Sequence, residues 1–384
     1  MRNFMVYSGG VKLFFGTHIV DKVSKYLDRY SKLLIVTGRS SARISGALND
    51  IVRVLEENGV EYSVWDKAFP NPTDKLLYDL VEYYRCVLFE GFIGIGGGSV
   101  LDLVKAARVL VVGGGKIDEY IKGTRKPPEK QPFMLAVNLT HGTGSEIDRF
   151  SVITLEETGE KVGFTTGYPT VSIDDPRYTV SLPIDQTIYT SLDAFAHAVE
   201  SATSKYSSPY TELLARESIS YIVEYLPKTI NDQRNVEYRY WLLYASMIAG
   251  ISIDHGYTHI PHILEHILTG YNSKLSHGAG LAILYKELIG LIYKAYPEIM
   301  AKLLKPIDQT LKPISGDYVK AVKAYNSFIE KLGFDETLSD YGFTSSELNR
   351  LIDRYGDQLI NEINRLSGIT LSIEEIKEIL NKLL

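Results

Sequence analysis

The sequence predicts two dissimilar halves, an α/β domain with a parallel sheet over residues 1–182 and an all-α domain over residues 183–384. Three observations predict this. Short apolar runs alternate with amphipathic segments as far as Val137, the β-α-β order that buries a parallel sheet between two layers of helices. Beyond about residue 184 the strand signals vanish, and the periodic segments carry apolar residues at helical spacing. Between the halves, Asp175-Pro176 and Leu182-Pro183 interrupt the periodicity. A chain of 384 residues is long enough for two cores, and this pairing of halves predicts a binding cleft between them.

Leu33-Leu34-Ile35-Val36-Thr37 is the continuous apolar run expected of a strand buried on both faces. Asp50 to Gly59 follows as an amphipathic helix closing on a glycine. The pattern then recurs, with strands at Glu61 to Trp65, Phe92 to Ile95 and Phe133 to Val137, and helices at Asp74 to Tyr84 and Val100 to Val111. In the second half helices are expected over 186–204, 209–225, 236–253, 258–269, 280–295, 316–332 and 373–383. Thr258 is the expected N-cap of the fourth, which puts Pro261 in the first turn, where a missing N–H costs no intrahelical bond.

Composition removes several classes of function. With 45% hydrophobic and 23% charged residues the chain is ordinary globular protein, and its net charge of −6 argues against nucleic acid as a partner. No apolar run approaches the roughly eighteen residues of a membrane span, and the start of the chain lacks a signal-peptide core, so a cytoplasmic location is expected. The single cysteine, Cys86, has no partner for a disulfide or a zinc knuckle and reads as a small buried hydrophobe.

Three glycine-containing segments follow helices or strands. Gly94-Ile95-Gly96-Gly97-Gly98-Ser99 lies between a strand and a helix, the context a phosphate-cradling loop needs, although Ser99 stands where the strict G-x-G-x-x-G pattern has its last glycine. Asp102, three residues after Ser99, has two readings: the far end of a capping box, or a carboxylate that meets a cofactor. Gly113-Gly114-Gly115-Lys116 lacks a preceding strand and reads as a plain loop. Thr140-His141-Gly142-Thr143-Gly144-Ser145-Glu146 offers hydroxyls and glycines suited to ligand binding without being a nucleophile elbow, and His141 reads as a surface loop residue.

The side chains with the strongest chemistry lie in the helical half. Asp193 and His197 are four apart in an apolar, alanine-rich segment, so on a helix they project from one face. His262 and His266 repeat that spacing, and His277 stands just before Gly278. Five of the eight histidines fall between His255 and His277. One carboxylate and three imidazoles suit iron or zinc better than calcium or magnesium, which prefer all-oxygen shells.

With these residues in hand the sequence resembles the iron-containing (group III) alcohol dehydrogenase family over nearly its full length. Val11 to Gly16 resembles that family's opening strand, Pro70-Asn71-Pro72-Thr73 its PNPT turn, Gly96 to Asp102 its GGGSxxD loop, and Gly142 to Glu146 its GTGSE element. Asp175-Pro176 with Leu182-Pro183 is similar to its DPxxTxxLP join, and Asp193 to Glu200 to its DAxxHAxE helix. The resemblance implies a metal, Fe²⁺ or Zn²⁺, on Asp193, His197, His262 and His277, with His266 near the nicotinamide as a proton relay. The interval from His262 to His277 is one residue longer than the family's, which keeps His259 as the alternative to His262. The implied dinucleotide contacts are Asn71, Gly97, Gly98, Ser99, Asp102, Thr140, Thr143, Lys161 and Leu182. The implied reaction is hydride transfer between a nicotinamide dinucleotide and a small alcohol or aldehyde, in a homodimer. A glycerol or polyol-phosphate dehydrogenase or a dehydroquinate-synthase-like lyase of related fold, and a non-catalytic dinucleotide-binding protein with a structural metal, are the competing readings.

Thr37-Gly38-Arg39-Ser40-Ser41 follows the first strong strand, where a dinucleotide fold reads the adenosine ribose. Gly38 stands where NAD-using members carry an aspartate, while Arg39, Ser40 and Ser41 are donors suited to a 2′-phosphate. NADP(H) is therefore expected in preference to NAD(H).

Overall fold

Strands β1 (Phe4–Ser8), β2 (Val11–Phe15), β3 (Lys32–Gly38), β4 (Glu61–Ala68), β5 (Gly91–Gly96) and β6 (Phe133–Asn138) are followed by a separate antiparallel hairpin, β7 (Phe150–Thr154) with β8 (Lys161–Thr165), and then by β9 (Val171–Asp174). Apart from the hairpin they form one sheet in the order β1-β2-β9-β6-β5-β3-β4, with β1 antiparallel at the edge and every other pairing parallel. The computed structural model describes residues 1–384, which divide into a first unit of Met1–Leu182 with Arg234–Leu243 and a second of Pro183–Gln233 with Tyr244–Leu384.

The run Leu33-Leu34-Ile35-Val36 shows why β3 sits mid-sheet. Leu34 and Val36 join the core formed with helices α2 (Asp74–Val87) and α3 (Gly98–Gly113), whereas Leu33 and Ile35 join the core on the other face with α1 (Ala47–Glu57). All four are fully buried, each worth about 1.5–3 kcal/mol of apolar burial. Thr73 caps α2 by accepting from the Leu76 amide at 3.2 Å. Cys86 lies on the solvent side of α2 and is exposed, not buried as its composition-based reading had it. Strand order turns back between β3 and β5, since β4 lies to one side of β3 and β5, β6 and β9 to the other. Ligands of open parallel sheets bind outside the carboxyl ends of strands at such a reversal.

The second unit is helical: α4 (Ile184–Thr203), α5 (Pro209–Asn231), the later turns of α6 (Val236–Gly256), α7 (Ile260–Tyr271), α8 (His277–Ala295), α9 (Tyr318–Lys331), α10 (Ser345–Leu366) and α11 (Ile373–Asn381) are its longer elements. Nearly every residue of α4 from Thr187 onward is buried, so it runs through the middle of this unit. The N-cap of α7 is His259 rather than Thr258; its ring Nδ1 accepts from the Ile260 amide at 2.8 Å, and Pro261 stays in the first turn. Several elements had no counterpart in the sequence reading: the edge strand β1, the inner strand β9, the β7–β8 hairpin, and α10, whose period is broken at Gly356 (φ 40°). No helix is long and apolar enough to cross a membrane.

Candidate functional site

In the second unit three helices bring four donors to one point. The imidazole Nε2 atoms of His197, His262 and His277 lie 3.5, 3.6 and 3.6 Å from Asp193 Oδ1. A tetrahedral site with ligand bonds of about 2.0–2.2 Å has edges of about 3.3–3.6 Å, so these separations suit a first-row metal. Asp193, His262 and His277 also have donor atoms within 4.8 Å of one another; His197 is tied to the set through Asp193. Asp193 Oδ1 and His262 Nε2 are buried without a hydrogen-bond partner. Buried polar atoms are almost always satisfied, and a cation at this point would satisfy both. The residues present fit a divalent metal.

The far sides of two of these rings are held by carboxylates. Glu200, two turns after Asp193 on α4, bonds His262 Nδ1 through Oε1 at 2.7 Å and accepts from the His259 amide through Oε2 at 2.6 Å. Glu265, one turn after His262 on α7, bonds His277 Nδ1 through Oε2 and accepts from Thr269 Oγ1 through Oε1. Burial pushes the Asp193 carboxyl up, but His197, His277 and His262 together pull it below the ordinary carboxylate range. Burial takes His197 down to about 4 despite Asp193. At His262 burial acts in the same direction, yet Glu200 and Asp193 outweigh it and raise the imidazole to about 10.

The other histidines separate cleanly. His259 is fully buried, with Nδ1 on the Ile260 amide and Nε2 on Thr203 Oγ1 at 2.9 Å, so both nitrogens are engaged away from the cluster. The His266 ring lies 5.6 Å from that of His277 and 6.3 Å from that of His262. His255 is exposed and packs edge-on to Tyr210.

In the first unit the expected dinucleotide residues gather at the carboxyl edge of the sheet. Thr37 of β3 pairs with Ile95 of β5, which places the Gly38–Ser41 turn beside the glycine loop. A Cβ at Gly97 would stand 2.7 Å from Thr140 Cγ2 and one at Gly98 2.6 Å from Thr143 Cγ2, so the loop lies directly against the Thr140–Thr143 segment. Gly97 caps α3 without side-chain help, and the Ser99–Asp102 capping box is not formed. Asp102 instead accepts from Ser145 Oγ at 2.5 Å and from the Val152 amide at 2.9 Å, and burial raises it. Asn71, with φ 54°, precedes Pro72, whose carbonyl accepts from the Thr154 amide, and Thr154 pairs in turn with Lys161 across the hairpin. The Leu182 carbonyl accepts from Arg239. His141 is not a surface residue: it is fully buried against Arg239 Nη1 at 3.1 Å, and burial together with that guanidinium lowers it to about 3.

The profile of the iron-containing alcohol dehydrogenases matches residues 10–176, and that of the C-terminal domain of the same family matches residues 187–384. The chain belongs to the iron-containing alcohol dehydrogenase family. It is 36% identical to a long-chain primary alcohol dehydrogenase of Thermoanaerobacter ethanolicus, over 88% of this chain and 87% of that one. It is 31% identical to a choline dehydrogenase of Bacillus subtilis, over 84% and 81%. Its fold matches that of an iron-containing alcohol dehydrogenase of Thermotoga maritima with a TM-score of 0.85 at 28% identity, over 99% of both chains.

Within this family member the sequence reading missed Glu265. The signal was present in the spacing, because a glutamate three residues after His262 shares its helix face. Glu200 figured there only as part of a motif; its contacts place it behind His262.

Proposed function

We propose that this family member is a metal-dependent NADP(H) oxidoreductase that interconverts small alcohols and aldehydes, with residues 1–182 as the dinucleotide-binding domain and 183–384 as the metal-binding domain. The observation that carries the reading is the convergence of Asp193, His197, His262 and His277, with two buried donor atoms lacking a hydrogen-bond partner in the protein. These four residues would hold Fe²⁺, with Zn²⁺ as a competitor that binds N/O sites more tightly. The metal supplies Lewis acidity toward the substrate oxygen, and the nicotinamide supplies or takes the hydride.

The chain's own residues do the rest. Gly97, Gly98 and Ser99 let the backbone approach the pyrophosphate at the start of α3, with Thr140, Thr143, Asn71, Lys161, Asp102 and Leu182 as further contacts. His266, beside the cluster but outside the ligand set, relays the alcohol proton. Arg39, exposed after β3, and the hydroxyls of Ser40 and Ser41 receive the 2′-phosphate.

A second reading, NAD(H), has its own observation. Asp66 lies in the bulge of β4 beside Thr37 and pairs with Arg43 at 3.7 Å, which sets a carboxylate next to the ribose-reading turn. A methanol dehydrogenase of Bacillus methanolicus and a butanol dehydrogenase of Thermotoga maritima, both similar to this chain, are named for NAD and NADH. Steady-state rates on primary alcohols of increasing length, with each dinucleotide and with Fe²⁺ or Zn²⁺ added to metal-stripped protein, test both readings. No turnover with any combination would overturn the enzyme assignment, and a higher kcat/KM with NAD would overturn the NADP preference.

A further inference from the structure

Two of the three helices of the metal cluster carry, besides their donors, a carboxylate that holds a histidine on the next helix. Helix α4 supplies Asp193, His197 and Glu200, and Glu200 reaches His262 on α7. Helix α7 supplies His262 and Glu265, and Glu265 reaches His277 on α8. The second link has the more delicate task, because the His277 side chain is 24% exposed whereas that of His262 is 6% exposed. Packing alone therefore orients His277 less.

The surroundings of Glu265 are shaped around this bond. It is fully buried, and Thr269, one turn on, donates to its other oxygen. A Cβ at Gly280 would stand 3.1 Å from Glu265 Cγ, so the glycine is what lets the first turn of α8 close on this side chain. On its opposite side the same turn meets α4, where a Cβ at Gly278 would stand 2.1 Å from the Tyr189 carbonyl oxygen, one turn before Asp193. The glycines of His277-Gly278-Ala279-Gly280 thus seat His277 between the two helices that carry the other donors.

From this arrangement, and resting on the metal-site reading above, we propose that Glu265 is a positioning residue: its carboxylate holds the proton of His277 on Nδ1 and turns Nε2 toward Asp193. A charge-assisted bond to the far nitrogen of a ligand histidine fixes its tautomer and raises its basicity, and losing such a partner typically weakens metal binding about ten- to hundredfold. The full chain, stripped of metal and titrated with Co²⁺ against a chelator, tests this with Glu265→Ala and Glu265→Gln. We expect Glu265→Ala to bind Co²⁺ about ten- to hundredfold more weakly and to change its visible absorption. Glu265→Gln should recover part of the affinity, because its amide oxygen still accepts from Nδ1 while the charge is gone. Dinucleotide affinity and urea stability of the Gln variant should match the parent.

Parent-like Co²⁺ affinity and spectrum in Glu265→Ala would overturn the proposal. So would a Gln variant no better than Ala, with both losing urea stability in proportion to metal, since that is the behaviour of a merely structural residue. Should Glu265→Ala fail to fold, the Gln variant decides alone, and an unaltered Co²⁺ spectrum and affinity there count against the proposal. A parent chain that takes up no Co²⁺ sinks the metal site itself and this inference with it.

Discussion

The glycine loop of the first unit and the histidine cluster of the second are made of opposite materials. Around Gly97 and Gly98 the structure clears side chains away so that backbone can come close, and Thr140 and Thr143 already fill the space a Cβ would need. Around Asp193 it crowds in large polar side chains, with carboxylates holding the far sides of His262 and His277. The first region depends on what is absent and the second on what is precisely held, so they should fail in different ways. Substitutions in one should leave the other's ligand untouched.

The largest effect is expected from His262→Ala, which removes a donor whose Nε2 has no hydrogen-bond partner within the protein. Metal content measured by mass spectrometry should fall to background and dehydrogenase activity with it, a loss well beyond the roughly ten- to hundredfold typical of an outer-shell partner. Dinucleotide titration should be unchanged. Full metal occupancy in this variant would break the comparison at its stronger end.

A carboxylate added to the other region gives the next effect. Gly38 has room for one, since a Cβ there would lie 3.5 Å from the Ala68 carbonyl and 3.7 Å from Ser41 Oγ, both ordinary contacts. A like-charge pair about 4 Å apart is worth about 1 kcal/mol in water and about 4 at an effective dielectric of 20, so Gly38→Asp should weaken NADP binding roughly tenfold to a thousandfold. NAD binding and metal content should change little. Equal losses for both dinucleotides would mean that no 2′-phosphate is read at this turn.

What could be read from the chain divides along the same line. Strands such as β3 were legible because a strand buried on both faces must be apolar throughout, and the glycine loop because its chemistry is local in sequence. The metal cluster showed in the i, i+4 spacing on α4 and α7. Contacts that join distant segments did not show: His141 meets Arg239 only after the chain has run nearly a hundred residues further. The β7–β8 hairpin was invisible because its burial does not follow polarity: β7 buries Ser151 with Ile153 while Phe150 and Val152 stay half-buried, and β8 buries only Phe164. Helix α10 was hidden by Gly356 in its middle. Cys86 was misjudged because composition says nothing about which face of a helix a residue takes.

Behind the first region lies a patch of buried acid that sharpens the contrast, because here polar atoms are buried without being held. Both oxygens of Glu146 and one of Asp174 are buried without a hydrogen-bond partner, and burial raises Glu146 to about 7. A carboxyl whose folded pKa lies above its unfolded value stabilises the fold at low pH and loses that contribution as pH rises through the folded value. Glu146→Gln keeps the shape and removes the charge. Urea unfolding should find it equal to the parent near pH 5 and more stable near pH 8, by up to about 3 kcal/mol. A difference that does not grow with pH would show that Glu146 is not carrying a buried charge.

The smallest effect separates two histidines that stand three residues apart and that the sequence left as alternatives. His262 turns Nε2 toward Asp193, whereas His259 uses Nδ1 to cap α7 at the Ile260 amide and Nε2 to meet Thr203. Burial lowers His259 to about 4, so it is neutral at physiological pH, as a ring that accepts at one nitrogen and donates at the other must be. Its contribution is therefore that of a helix cap, about 1 kcal/mol. His259→Ala should lower urea stability by at least that amount, since the ring is also fully buried, while metal content and dinucleotide affinity stay at the level of the parent. If the variant instead loses its metal while His262→Ala keeps it, the roles of the two residues are exchanged and the cluster has been built on the wrong histidine.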